Sequence, residues 1–469
     1  MSILRLGILG ASENVQTIII PILASPALKT LFNPIIIYAA SEGTAKQCQA
    51  EFNISEYTTN ASEVISHPEV DVVLNLLPFE YHEEYTIDAL RTGKHVMVEV
   101  PLTMSIPALH RIRKAIGEGK AYRSGLANNT ALGPPKIFVG CARRYAPCFV
   151  DVFKQELASL DRVYYARCRN ISGPLRVPTP EHPPAARTNG NGTVSNGMTN
   201  GHTNGNGTVN GYTDCNATNC TYVADNVTPV TSDQRFNALL GGIFNDEDLT
   251  PERAAFCRFL GGMGCHDLSL MRESLGLPDA VANVSITDPF YSAIFHYEDS
   301  LGICASSGEA HPFTVLYETG VDSVPRSDAH LTVYGATKTI SVEYDFPISA
   351  ELAANAGAGA GQIKVVVEER ELGNGKENMN GNGNGNGNGY CDGFGSHPRV
   401  KRTEFVSSIA EAYERQFRVM HNYLTDGDSA GTGFEPKTTT NDAVMDLRLL
   451  NMIFAHYDRQ CGTIRTPLG

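Results

Sequence analysis

The run Gly7-Ile8-Leu9-Gly10-Ala11-Ser12-Glu13-Asn14-Val15 stands where an apolar segment gives way to a helical pattern. A strand, a glycine turn and a helix in that order bring backbone N–H groups and a helix N-terminus against a diphosphate. Such a turn uses three glycines: one for the bend, one for close approach of the phosphates and one for helix–strand packing. Gly10 fills the first place, and Ser12 and Val15 take the others. Ser12 is small and adds a hydroxyl that can reach a phosphate. An ordinary strand–helix turn is the other reading of these residues. The next apolar segment closes on Tyr38-Ala39-Ala40-Ser41-Glu42. A carboxylate at that place accepts hydrogen bonds from ribose hydroxyls and repels a 2′-phosphate, so Glu42 predicts NAD rather than NADP.

Other chemistries are excluded by what the chain lacks. Its eleven cysteines include no CxxC pair, and Cys215 and Cys220 have no second pair or His cluster beside them, so no metal site is expected. A net charge of −14 argues against nucleic acid or an anionic membrane as partner. No apolar run approaches the ~20 residues that cross a bilayer, and Met1 to Ser12 does not read as a secretion signal. The expected setting is cytoplasmic, and the expected partner is a small molecule.

The elements that must hold these residues follow from periodicity. Leu4–Leu9, Ile35–Ala40, Val70–Leu77 and His95–Val98 are continuous apolar runs, separated by helical patterns at Thr17–Leu23, Ala45–Phe52 and Glu83–Arg91. Strands buried on both faces and alternating with helices predict an α/β, doubly wound parallel sheet, the Rossmann arrangement, over residues 1–135. From Ile137 the texture changes to longer alternating runs at Val163–Arg169, Ala282–Ile286, Ser292–Tyr297, Ile303–Ser307 and His330–Tyr344. They predict a C-terminal α+β domain over 136–469 with a largely antiparallel sheet, closed by helices at Glu404–Leu424 and Thr440–Gln460. At 469 residues, two domains are the natural expectation. Two Asn/Gly tracts, 188–211 and 373–389, hold too little apolar surface to offset ordering entropy and read as disordered insertions.

Within Val70–Met104 the order Pro78, His82, Gly93-Lys94-His95-Val96, Glu99-Val100-Pro101 resembles the Gfo/Idh/MocA family of NAD(P)-dependent oxidoreductases. That family carries a strand ending in proline, a histidine four residues on, a helix, then "GKHV" and "EKP". The similarity continues through Val139–Pro147, the glycine-rich segment Gly261–Gly276, Ala329–Pro347 and the closing helical segments, so it covers most of the chain outside the Asn/Gly tracts.

The resemblance implies a cleft between the strand ends and the second sheet, with Gly10, Ser12, Glu42, Pro78, His82, Glu99 and Pro101 along the dinucleotide. It makes His266 the candidate catalytic base, with an unshifted pKa suited to a hydroxyl–carbonyl step near neutrality. Asp267, its neighbour in sequence, points elsewhere if both start a helix. Arg143 and Arg144 alternate along an expected strand, and Arg144 with Tyr145 is the candidate substrate contact. Two departures stand out. Val100 replaces the family's proton-transferring lysine, and Gly262 replaces an aspartate four residues before the histidine. Two functions follow as expectations: an NAD(P)-dependent oxidoreductase acting on a hydroxyl of a sugar, cyclitol or similar small alcohol, or a non-catalytic dinucleotide-binding regulator. The family's second-domain sheets also imply pairing into a homodimer.

Overall fold

Six strands form a parallel sheet in the order β3-β2-β1-β4-β5-β6: β1 (Leu4–Leu9), β2 (Phe32–Tyr38), β3 (Glu56–Thr58), β4 (Val72–Asn75), β5 (His95–Glu99) and β6 (Ile137–Gly140). The computed structural model describes residues 2–125, 133–173, 229–244, 249–300, 303–304, 311–321, 324, 327–344, 361–371, 399–425 and 436–462. The Asn/Gly tracts at 188–211 and 373–389, and most of the strand expected at Ile303–Ser307, lie outside the described residues.

β1, β4 and β5 are almost wholly buried because helices cover both faces of this sheet. Helices Ala61–Ser66, His82–Arg91 and Ile106–Gly125 pack on one face through Val64, Leu90 and Ile112. The segment Val15–Leu23 and helix Glu42–Glu51 cover the other with Val15, Ile19 and Cys48. The strand order reverses between β1 and β4, which opens a crevice at the strands' C-terminal ends.

The boundary expected at residue 135 falls one strand early. Ile137–Gly140 was assigned by sequence to the second domain, yet it pairs in parallel with β5 from Val96↔Ile137 to Glu99↔Gly140. Helix Ile409–Thr425 also returns to this sheet. Phe417, Met420 and Leu424 complete the apolar layer around Phe32, His421 Nε2 lies 2.9 Å from Ser2 O, and Lys136 Nζ donates to Tyr423 O at 2.8 Å.

The second sheet has eight strands in the order β14-β13-β12-β11-β7-β10-β9-β8: β7 (Tyr165–Ser172), β8 (Ala280–Thr287), β9 (Phe290–Tyr297), β10 (Phe313–Val321), β11 (Ser327–Tyr334), β12 (Lys338–Tyr344), β13 (Gln362–Glu371) and β14 (Arg399–Ser408). Every pairing is antiparallel except β7 with β10. β7 alternates buried and half-buried residues along its length, as a sheet with one covered face requires. Helices Pro251–Phe259, Cys265–Leu275 and Thr440–Gly462 fill that face. Among the described residues, no helix is long and apolar enough to cross a membrane.

Candidate functional site

At the end of β1, Gly10 has φ +108° and its N–H donates to Tyr38 O at 3.1 Å. A Cβ there would lie 2.9 Å from Leu76 O, so the bend needs glycine on both conformational and steric grounds. Ser12 follows, buried, and its Oγ has no hydrogen-bond partner among the described residues. A buried hydroxyl without a partner costs free energy unless a ligand supplies one, so this turn suits a diphosphate. Val15, in the third glycine's place, packs into the apolar layer instead. β2 ends at Tyr38, two residues before the expected Ala40. Ser41 caps helix Glu42–Glu51, and Glu42 is its exposed first residue.

His82 ties two strand ends together. Its ring is 1 % exposed, with Nδ1 2.8 Å from Pro101 O and Nε2 2.8 Å from Leu77 O. Burial holds its pKa below the ordinary value. A neutral ring donates to one of these two carbonyls and rests against the other, so the residue expected to touch the nicotinamide or cap a helix sits between the β4 and β5 exits. Pro78, half-buried, precedes the turn Phe79–Tyr81 that leads into this helix. Pro101 follows a cis peptide bond from Val100.

Glu99 closes β5 with its side chain buried, and Oε1 has no partner. Burial pushes its pKa up to about 7. The fold therefore prefers the protonated form. The stabilisation from this group is complete below about pH 4.5, the ordinary value for such a carboxyl, and is lost as pH rises through about 7. Glu99→Gln is expected to remove a slope worth about 3 kcal/mol over that window. Urea unfolding of both proteins at pH 5 and pH 8 reads it directly, and parallel pH dependences would disprove it.

The second domain brings its glycine-rich segment against these exits. Leu260–Gly264 forms a wide helical turn in which a Cβ at Gly261 would lie 2.6 Å from the Phe79 ring. The Cys265 thiol lies 3.6 Å from Val100 O. Val100 itself is 3 % exposed, in an apolar cluster with Leu102, Cys141 and Cys265. His266 is half-buried on the first turn of helix Cys265–Leu275. Its pKa is not the unshifted one expected: burial, then the Arg143 charge, then His82 push it down to about 3. At neutral pH this imidazole is neutral.

Arg143, rather than Arg144, is the arginine next to His266. Both lie in the turn Ala142–Tyr145, not on a strand, so their directions do not alternate as expected. The Arg143 guanidinium pairs with Asp267 and sits 4.6 Å over the Tyr344 ring. Asp267, fully buried, also takes Asn170 Nδ2 at 2.7 Å, and so it orients Arg143. Arg144 is unavailable to a substrate. Its Nε reaches Glu273, Nη1 reaches Ser269 and Asp442, and Nη2 reaches Asp442 and the Lys437 carbonyl, which uses all five donors. Tyr145 is 2 % exposed, its hydroxyl 2.6 Å from Thr438 Oγ1. The sequence reading missed Asn170, and no local motif marked it. A Cβ at Gly262 would meet nothing within 4 Å, so the aspartate's place is open space. Among the described residues, no group of three His, Cys, Asp or Glu side chains could hold a metal ion.

Comparison with known proteins bears on the fold and on the first domain. Residues 4–122 match the model of an oxidoreductase family with an NAD-binding Rossmann fold, GFO_IDH_MocA. The scyllo-inositol 2-dehydrogenase (NAD(+)) of Bacillus subtilis is 30 % identical over 110 residues, 24 % of this chain and 28 % of that protein. The glucose-fructose oxidoreductase domain-containing protein 2 of Mus musculus is 28 % identical over 177 residues, 37 % of this chain and 40 % of that protein. The chain thus spans about a third of the length of the curated relatives it matches. A 3-ketoreductase from Actinomadura kijaniata, solved with NADP and TDP-benzene, shares the fold over 97 % of this chain and 98 % of that one, with TM-score 0.55 and 12 % identity.

Proposed function

We propose, from the premise that the N-terminal domain of this chain belongs to the Gfo/Idh/MocA oxidoreductases, that the protein is an NAD(P)-dependent oxidoreductase acting on a hydroxyl or carbonyl of a sugar, cyclitol or similar small molecule. The observation that carries this reading is the meeting of His266 and Arg143 with the exits of β4 and β5, beside the switch point of the sheet. The dinucleotide, when bound, exchanges a hydride with the substrate carbon. The Gly10–Ser12 turn holds its diphosphate. His266, neutral at working pH, accepts the hydrogen bond of the substrate hydroxyl and takes up its proton as the hydride leaves the carbon. Arg143, fixed by Asp267, is the positive charge nearest the oxygen on which negative charge develops. NAD is the proposed cofactor, because Glu42 brings a carboxylate to the first position of the helix after β2, ahead of the nearest cation, Lys46.

His266→Ala is expected to lower turnover roughly 10²–10⁴-fold, the usual worth of a positioned acid–base group, with dinucleotide affinity unchanged. A screen of polyols and sugars with NAD and NADP, read at the reduced-nicotinamide absorbance, tests the reaction. Val100 in an apolar cluster, where the family has a lysine, favours a second reading, a dinucleotide-binding regulator without turnover. Dinucleotide binding with no reduction across the screen would decide for that reading.

A further inference from the structure

Helix Ile409–Thr425 reaches the first sheet with one polar side chain that its packing leaves half used. Gln416 is fully buried, and its Oε1 accepts the Cys141 N–H at 2.7 Å. Its Nε2 is enclosed and has no hydrogen-bond partner among the described residues. Across the same dipeptide, Glu99 Oε1 is likewise enclosed and unpartnered, and it lies 2.7 Å from where a Cβ of Gly140 would stand. One donor and one acceptor therefore converge on Gly140–Cys141, at the exit of β6. Each carries a desolvation cost that a ligand group of the right kind would offset.

These atoms belong to the β4–β6 half of the sheet. In a doubly wound dinucleotide fold that half holds the mononucleotide distal to the glycine turn. A primary carboxamide supplies the complement to both orphans: its oxygen accepts from an amide N–H, and its NH₂ donates to a carboxyl oxygen. We infer that Gln416 and Glu99 form a subsite for the carboxamide of a bound nicotinamide, so that a helix from the far end of the chain reads the cofactor. The inference rests on the dinucleotide reading above and adds the residues that recognise the nicotinamide end. Gly140 lets Glu99 occupy this place, because any side chain there would collide with the carboxylate.

The experiment compares NAD⁺ with ADP-ribose, which keeps the adenosine, diphosphate and a ribose but lacks the nicotinamide, by calorimetry on the full chain. For Gln416→Met, NAD⁺ affinity should fall about tenfold, one hydrogen bond's worth, while ADP-ribose affinity stays within about twofold. Retained ADP-ribose binding also reports that the variant is folded. Glu99→Leu should produce the same split. Equal weakening of both ligands, or no change in either, overturns the carboxamide subsite, the latter outcome leaving a buried water as the occupant. A wild-type protein that binds neither ligand overturns the dinucleotide reading itself.

Discussion

Arg144→Ala should destabilise the protein by about 3–5 kcal/mol, the cost of removing one member of a buried ionic group and leaving its partners uncompensated. Arg144 is 1 % exposed and joins three parts of the chain: the turn after β6, helix Cys265–Leu275 through Ser269 and Glu273, and the start of helix Thr440–Gly462 through Asp442. Arg272 reinforces the junction, with Nε on Asp446 and Nη2 on Asp442 at 2.7 Å, and Lys437 lies 2.8 Å from Glu273. Arg144→Lys should recover only a minor part, because one ammonium cannot span acceptors placed for a planar fork. Acid sensitivity supplies a second reading. Burial alone would raise Glu273, but Arg144, Lys437 and Lys154 outweigh it and hold the carboxyl at about 2. A depressed carboxyl stabilises above its unfolded value and loses that contribution as pH falls toward 2. The variant should therefore lose less stability than wild type between about pH 4.5 and pH 2. Urea unfolding within 1 kcal/mol of wild type at pH 7 would mean that Arg144 adds little.

Val100→Lys is expected to cost several kcal/mol of stability and to give no gain in turnover. The position is 3 % exposed among Leu102, Cys141 and Cys265, and the Cys265 thiol lies over its carbonyl. Of the carboxylates near that cluster, Asp267 and Asp446 are already paired with Arg143 and Arg272. A lysine would enter as a buried charge competing with those pairs, or give up its proton. Thermal melts and the sugar screen check both halves of the prediction. A variant of unchanged stability that turns over a substrate the wild type does not would show instead that the lysine's space survives beside His266.

Both variants probe the parts of the site that sequence conveyed least well. β1 was legible to the residue, Leu4–Leu9, because a strand buried on both faces is a plain apolar run and Gly10 stops it. β5 and helix Thr440–Gly462 were legible for similar reasons. β6 was seen as an apolar run but assigned to the wrong domain, since periodicity does not say which sheet a strand joins. The helix expected from Glu404 begins at Ile409, because Arg399–Ser408 pairs with β13 throughout. A usable signal was present there: Ser408 Oγ accepts the Glu411 N–H at 3.1 Å and Glu411 Oε2 accepts the Ser408 N–H at 2.7 Å, a capping box spelled Ser-Ile-Ala-Glu.

The site residues divide in the same way. The bend at Gly10 was readable because its conformation is local to one turn. The exchange of Arg143 for Arg144 was not, because Arg144 finds its acceptors at Glu273 and Asp442, 129 and 298 positions away. His266 was located by its glycine-rich surroundings, but its pKa depends on burial and on Arg143, which only the folded chain brings near.

The return of helix Ile409–Thr425 to the first sheet bears on how the protein is made. About 270 residues separate Gly140, the end of the sixth strand, from Ile409. At ~5–20 residues per second, a ribosome needs roughly 15–50 s to produce them. Throughout that interval the six strands exist without the layer that Phe417, Met420 and Leu424 provide, and Phe32 and Leu4 lack their cover. The nascent chain thus carries an apolar face that nothing yet synthesised can bury, a surface suited to chaperone capture. Of these two domains, the one synthesised earlier is the last to be finished.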